Sequence, residues 1–378
     1  MGISQYFSTD YAEARGKFRN AARSAGATLE SYCNPAAGPD GCILSTETAR
    51  LGPRHAERLL IVMSGTHGVE GFCGSALQIG WLERGVAAQR PDGVALLMIH
   101  AINPSGFAWA RRVTEGNVDL NRNFVDHDSP YPANPGYELL RDAICPRDWS
   151  PAGRAAADAV LDAYCAEHGA AALNSAIMLG QFTDPDGLLY GGRAPTWSNR
   201  TLCRILDREA VTARHVALID LHTGLGSHGE AGISSNHACG HPGYERVKEW
   251  FGDAATPSEA GSLLSAAVVG DVTVALDRML GRDAVTSITL EFGTVPLLEL
   301  RDALRGDNWL YVHGRPESAE GREIKARLRE AFYPDREDWR KSVWEQAVGV
   351  FQRALTGLAG SCASPAGIST SQGRTVAL

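Results

Sequence analysis

Apolar residues fall along this chain in two rhythms. Short continuous runs at Arg58–Ser64 (RLLIVMS), Val94–Ile102 (VALLMIHAI), His215–Leu221 (HVALIDL) and Ser287–Phe292 (SITLEF) read as buried strands, and Asn174–Leu179 reads as another. Between them, Val69–Arg84, Gly153–His168, Trp197–Thr212 and Gly243–Phe251 space their apolar residues as helices do. Strands that are apolar throughout and alternate with helices imply a largely parallel sheet covered on both sides. The predicted class is therefore α/β: a mostly parallel mixed β-sheet with helices on both faces. After Phe292 the rhythm changes. Glu320–Phe332 and Glu337–Leu358 read as helices with no strand-like run between them, and are expected to pack back on the same sheet. One domain over residues 1–358 is expected. The stretch 359–378, rich in Ser, Gly, Ala and Thr, reads as a flexible tail. The Pro- and Gly-containing segment Asp126–Gly136 reads as a long surface loop of the kind that shapes sites.

Composition narrows the function classes. The chain has 378 residues, a length that α/β enzymes reach around a single sheet. Its net charge of -8 and the absence of any basic run argue against nucleic acid as a partner. The first residues lack the apolar core of a signal peptide, and no run is long enough to cross a bilayer. A cytoplasmic protein with no membrane partner is expected, and a homo-oligomer stays open. The eight cysteines show no C-x-x-C pair and read as free thiols.

Four segments carry chemistry. In Ser64–Glu70, His67 and Glu70 stand three apart in a glycine-rich turn between strand and helix, where both side chains can converge. Imidazole and carboxylate are zinc ligands, although H-x-x-E alone also fits a helix-capping Glu beside a strand-end His. In Ile219–Gly224 a buried strand ends in His222. A distant strand is where a third ligand is expected, because catalytic zinc takes three protein ligands and keeps one position open. Arg111–Phe124 packs several guanidinium and amide groups between apolar anchors at Leu120 and Phe124, and guanidinium suits a carboxylate or an oxyanion. In Thr289–Thr294, Glu291 closes an apolar strand, where a buried carboxylate needs a partner or a role as general base. Three of the four end a predicted strand, the place where ligands gather in open α/β sheets.

Together the segments resemble the zinc carboxypeptidase superfamily, which also holds the succinylglutamate desuccinylase and aspartoacylase branch. The strings SGTHGVEGFCGS, INPSGFAWARR, VDLNRNF, DLHTGLG and LEFGT look most like a bacterial carboxypeptidase-like branch of unknown function. The resemblance spans about Leu60 to Thr294. It implies one zinc per chain on His67, Glu70 and His222, with Glu291 as the general base that deprotonates the zinc-bound water. It implies that Arg112 stabilises the oxyanion, that Asn121 and Arg122 hold a substrate carboxylate, and that Asp119 orients the first zinc histidine. The doubled arginine leaves open whether Arg111 or Arg112 faces the metal, so Arg111 stays a substrate-binding candidate. The tyrosine that many carboxypeptidases place near the scissile bond has no clear motif here; Tyr190 and Tyr244 are the candidates.

The leading expectation is a zinc-dependent amide hydrolase acting on a small-molecule or peptide substrate that carries a carboxylate. Peptidase and N-acyl amino acid deacylase use the same groups. Aspartoacylase-like enzymes typically carry a C-terminal β domain over the site, and here that region reads helical. A non-catalytic binding module on the same scaffold is the remote alternative, marked by loss of a ligand or the base, and none is lost. A serine hydrolase finds no G-x-S-x-G elbow.

Overall fold

The computed structural model describes residues 2–257, 269–280 and 285–360. The predicted apolar runs form the middle of a sheet. Its strands are β1 (Thr28–Ala37), β2 (Ile43–Leu51), β3 (Arg58–Ser64), β4 (Val94–His100), β5 (His215–Gly224), β6 (Ala231–Ser235), β7 (Ala255–Pro257) and β8 (Val285–Gly293), in the spatial order β1-β2-β4-β3-β5-β8-β6-β7. The central four, β4, β3, β5 and β8, run parallel. The antiparallel pairings β1/β2, β2/β4 and β6/β8 lie outside them, with β7 parallel to β6 at the edge. The sheet is mixed, as expected.

The reason the central strands are apolar at every position lies in the layers. Leu60 and Val62 of β3 and Leu96 and Met98 of β4 join one core, while Leu59, Ile61, Met63, Leu97 and Ile99 join another. Side chains alternate across a strand, so a strand covered on both sides loses the alternating pattern. In chain order the helices are α1 (Tyr11–Ser24), α2 (Gly71–Glu83), α3 (Pro104–Ala108), α4 (Pro135–Ile144), α5 (Pro151–His168), α6 (Ala170–Met178), α7 (Trp197–Glu209), α8 (Pro242–Phe251), α9 (Val272–Leu280), α10 (Leu297–Val312), α11 (Ala319–Phe332) and α12 (Glu337–Gly360). Residues of α1, α2 and α12 fill the first core, and those of α7 and α9 the second. The last two predicted helices do return to the sheet: α12 lays Trp339, Val343 and Phe351 into the first core.

One predicted strand is a helix. Asn174–Met178 lies in α6 and Leu179 caps it; the helix buries Leu173, Ala176 and Ile177 at helical spacing against α4 and α5. A short apolar run cannot by itself separate a strand from a buried helix turn. Strands β1 and β2 escape the apolar pattern because β1 is mostly exposed and β2 buries polar residues, Ser45, Thr46 and Glu47. The expected tail lies outside the described residues, save Ala359 and Gly360 at the end of α12. The described cysteines are free, and Cys362 lies outside the described residues. No helix of the described residues is long and apolar enough to cross a membrane.

His100, at the end of β4, is fully buried, stacks on Phe18 with ring centroids 4.4 Å apart and meets Ser75 Oγ at 2.8 Å. Burial, helped by Arg15, pushes its pKa down to about 3. In the unfolded chain it takes a proton near its ordinary value of about 6.5. The neutral ring therefore contributes stability that is full above about pH 6.5 and is lost as pH falls toward 3. Urea unfolding of His100→Gln should show a slope of stability against pH shallower by close to one proton between those limits. An unchanged slope would assign the acid sensitivity elsewhere.

Candidate metal centre

The site sits where β3, β5 and β8 end side by side. His67 and Glu70 lie in the turn from β3 into α2, His222 lies near the end of β5, and Glu291 stands opposite His222 in the β5/β8 register. Residues paired in register on neighbouring parallel strands project from the same face. The turn depends on two glycines. Gly65 has φ +74°, and a Cβ on Gly68 would stand 1.9 Å from the Gly106 carbonyl carbon. Only glycine allows that approach.

The Arg111–Arg112 backbone is pinned to this turn. Gly68 N donates to Arg112 O at 3.0 Å and Val69 N to Arg111 O at 2.8 Å. Ala110 just before them has φ +45°, an uncommon conformation for a residue with a Cβ. The two arginines then diverge. Arg112 sends Nη1 to Glu70 Oε1 at 2.9 Å and Nε to Asp119 Oδ2 at 3.0 Å. Arg111 points away, pairs with Asp307 at 2.9 Å and Asn117 at 3.0 Å, and lies over the Tyr311 ring. Arg111, named above as a substrate-binding candidate, lines a separate groove and neither cavity at the centre.

His67, Glu70 and His222 converge. Glu70 Oε1 lies 3.0 Å from His67 Nδ1, Glu70 Oε2 lies 3.0 Å from His222 Nδ1, and the two Nδ1 atoms are 3.2 Å apart. A tetrahedral zinc with bonds of about 2.0–2.1 Å needs its ligand atoms about 3.3 Å apart, and one ligand atom from each of the three residues lies within 4.8 Å of the others, close enough to hold one ion. The outer nitrogens are also held: His67 Nε2 faces Asp119 Oδ1 at 3.3 Å and His222 Nε2 faces Asp220 Oδ2 at 2.7 Å. Thr66 Oγ1 donates to the other Asp220 oxygen at 2.7 Å. Such partners fix which nitrogen is offered to a metal.

The charges are tightly coupled. Burial works to raise the Glu70 pKa, yet the two histidines hold it well below the carboxylate range. Burial opposes charge on Asp119 as well, and Arg122 and Arg112 overcome it. His222 is held above its usual value by Asp220 and Glu70 against the penalty of burial. Glu291 shifts the other way. Burial first, then the nearby Glu70 charge, raises it to about 7, although Leu225 N donates to its Oε1 at 3.0 Å.

Two cavities meet at the centre, and His67, Arg112, His222 and Glu291 line both. The smaller, about 110 Å³, adds Asn121, Arg122 and Asp271. The larger, about 330 Å³, is walled mainly by leucines and other apolar residues of α6, α10 and the 188–189 segment. Arg122 is buried, donates from Nη1 to Asp119 at 3.4 Å and from Nη2 to the Met178 carbonyl, and leaves Nε without a partner. Asn121 Oδ1 accepts from Val272 N at 3.3 Å. Tyr190, the other substrate-binding candidate, lines neither cavity at the centre. It is buried, its carbonyl accepts from Asp119 N at 2.7 Å, and its hydroxyl lies beside Arg193. Tyr244 is buried within α8.

The sequence reading passed over Asp220, although D-x-H on a strand puts both side chains on one face. It also missed Asp271 and Arg301, which lie on or beside helices it did not predict. A second grouping of His237, His241 and Asp277 has ligand-type side chains too. There, His237 bridges Asp277 at 3.1 Å and Ser287 N at 3.3 Å, and His241 Nδ1 caps α8 through Gly243 N at 3.1 Å, so both rings already hold structure together.

Asp119 joins four of these contacts, including one to Asn121 N at 3.0 Å. Asp119→Ala should weaken zinc binding about 10–100-fold and cost about 3–5 kcal/mol of stability, since it strands two buried guanidiniums. Metal titration and urea unfolding check both, and unchanged zinc affinity would detach Asp119 from the centre.

Comparison with solved structures places the fold. Bovine thrombin-activatable fibrinolysis inhibitor, in complex with tick carboxypeptidase inhibitor, matches with a TM-score of 0.51 at 10% identity, covering 95% of this chain and 100% of that one. A second structure of thrombin-activatable fibrinolysis inhibitor gives 0.53 at 11% identity, covering 94% and 76%. Carboxypeptidase A from Helicoverpa armigera gives 0.45 at 14% identity, covering 86% and 74%. At these identities the likeness to the two thrombin-activatable fibrinolysis inhibitor structures shows a shared fold. No curated protein matches the sequence. A family model described as a protein of unknown function, DUF2817, matches residues 7–346, and the chain belongs to that family.

Proposed function

We propose that this protein is a zinc-dependent amide hydrolase of the carboxypeptidase type. The observation that carries the reading is the convergence of His67, Glu70 and His222 on one point, with Glu291 beside it on the neighbouring strand. Zinc held by those three residues supplies Lewis acidity, lowering the pKa of water and polarising a carbonyl.

The chain's own residues do the rest. Glu291 accepts a proton from the attacking water as the new C–O bond forms at the scissile carbonyl. It delivers that proton to the leaving nitrogen as the C–N bond breaks. A carboxyl whose pKa lies near neutrality suits both halves of that transfer. Arg112 keeps Nη1 and Nε on Glu70 and Asp119, and its Nη2 bonds none of the described residues. That free donor is offered to the oxyanion as charge builds there. The leaving amine and its carboxylate occupy the smaller cavity, where Asn121 and Arg122 supply donors. The Met178 carbonyl that Arg122 now holds is the partner a substrate carboxylate would replace.

The acyl part then lies in the larger, apolar cavity. That favours an N-acyl amino acid or a short peptide with an apolar residue before the scissile bond. After β8 the chain is helical through α10, α11 and α12, with no C-terminal β domain among the described residues.

Glu291→Gln should retain zinc and lose about 10²–10⁴ in kcat against N-acyl amino acids and short peptides, because removing a general base costs about that much. Turnover near the wild-type level in a zinc-loaded Glu291→Gln protein would remove Glu291 from the mechanism.

A further inference from the structure

Away from the metal centre the larger cavity is mostly apolar, with Asp162, Asn174 and one guanidinium, Arg301, among its polar lining. Helix α10 turns Leu297, Leu300 and Leu304 into it, and Leu173, Ile177 and Leu189 face it from the other elements. Arg301 lies on the same stretch of α10 and lines the same cavity. Its Nε is buried and bonds nothing, and its guanidinium pairs with no carboxylate among the described residues. The other arginines and lysine near the centre are engaged: Arg111 and Lys325 by Asp307, Arg305 by Asp158 and Asp302, Arg122 by Asp119.

Arg301 is half-buried, and its Nε, the one atom of the guanidinium that is buried without a hydrogen bond, forfeits its solvation beside the apolar wall. A ligand that brings an anion removes the cost and gains a planar, two-point pair. We propose that the larger cavity receives an apolar arm of the substrate that carries its own anionic group, and that Arg301 binds that anion. This rests on the reading of the site as an amide hydrolase. It deepens that reading by naming the acyl side: an aliphatic or aromatic acyl group with a carboxylate set apart from the scissile bond. The carboxylate of the leaving amine belongs to the other cavity, so the substrate has two anionic poles with the amide between them.

The test is a binding titration that needs no turnover. Suberamic acid carries an apolar arm of six methylenes with a carboxylate at one end and an amide at the other; octanamide has the arm and the amide, with a methyl in place of the carboxylate. Both are titrated calorimetrically into protein stripped of metal with EDTA, so that a carboxylate cannot bind through zinc. Wild type should bind suberamic acid more tightly than octanamide. Arg301→Gln should lose about tenfold to a hundredfold for suberamic acid and little for octanamide, the range expected for a hydrogen-bonded ion pair. Arg301→Lys, which keeps the charge but not the fork, should fall between them, and the melting temperatures of both variants control for folding. Equal binding of the two ligands to wild type, no binding of suberamic acid, or equal losses for both ligands in Arg301→Gln would overturn the proposal. An inactive or zinc-free protein would defeat the hydrolase reading while leaving this titration interpretable.

Discussion

The structure turns on how it compensates buried negative charge. Glu70, Asp119 and Asp220 are each at most 2% exposed and stand together at the ends of β3 and β5 and in the Asp119 loop. Two guanidiniums, Arg112 and Arg122, answer these three carboxylates. With neutral histidines that leaves one negative charge uncompensated before Glu291 is counted. A buried charge without a partner costs several kcal/mol, on the order of the whole stability of a domain. Asp220 and Glu70 hold the His222 pKa up against burial, and a proton there offsets that one charge, leaving Glu291 to be met. A divalent cation among His67, Glu70 and His222 meets both without protonating a ligand.

The fold supplies the geometry this balance requires. Three neighbouring parallel strands end at one level, so residues far apart in sequence meet there without long excursions of the chain. The Arg111–Arg112 segment is then fastened to the H-x-x-E turn by backbone hydrogen bonds rather than by side chains, which fixes where Arg112 can reach. Helices α6 and α10 form the apolar side of the site, and they decide what besides the amide can enter.

The central strands were legible because each is buried on both faces and therefore apolar throughout. Asn174–Leu179 was misread because its few apolar residues satisfy a strand and a buried helix turn equally, and only Leu173, one position before the run, completes the helical stripe. Helix α10 was invisible because it buries Arg305, Asp307 and Asn308, which break the apolar period. The convergence of His67, Glu70 and His222 was foreshadowed by their positions at strand ends. Which arginine turns inward was not, because successive residues in an irregular loop carry no periodic rule; the positive φ of Ala110 and the contact with Asp307 decide it. Tyr190 was suggested only by the expectation of a tyrosine near the scissile bond, with no motif behind it, and its neighbourhood is a packed turn around Gln181 and Val118.

If the charge balance is right, the centre must take up one divalent cation and must need all three donors to do so. The most direct measurement is isothermal titration of zinc into protein stripped with EDTA, run beside His222→Ala at matched folding. The account predicts one zinc per chain for the wild type and loss of that tight site in the variant. Absence of binding in a folded wild type, or zinc bound equally well without His222, would contradict it.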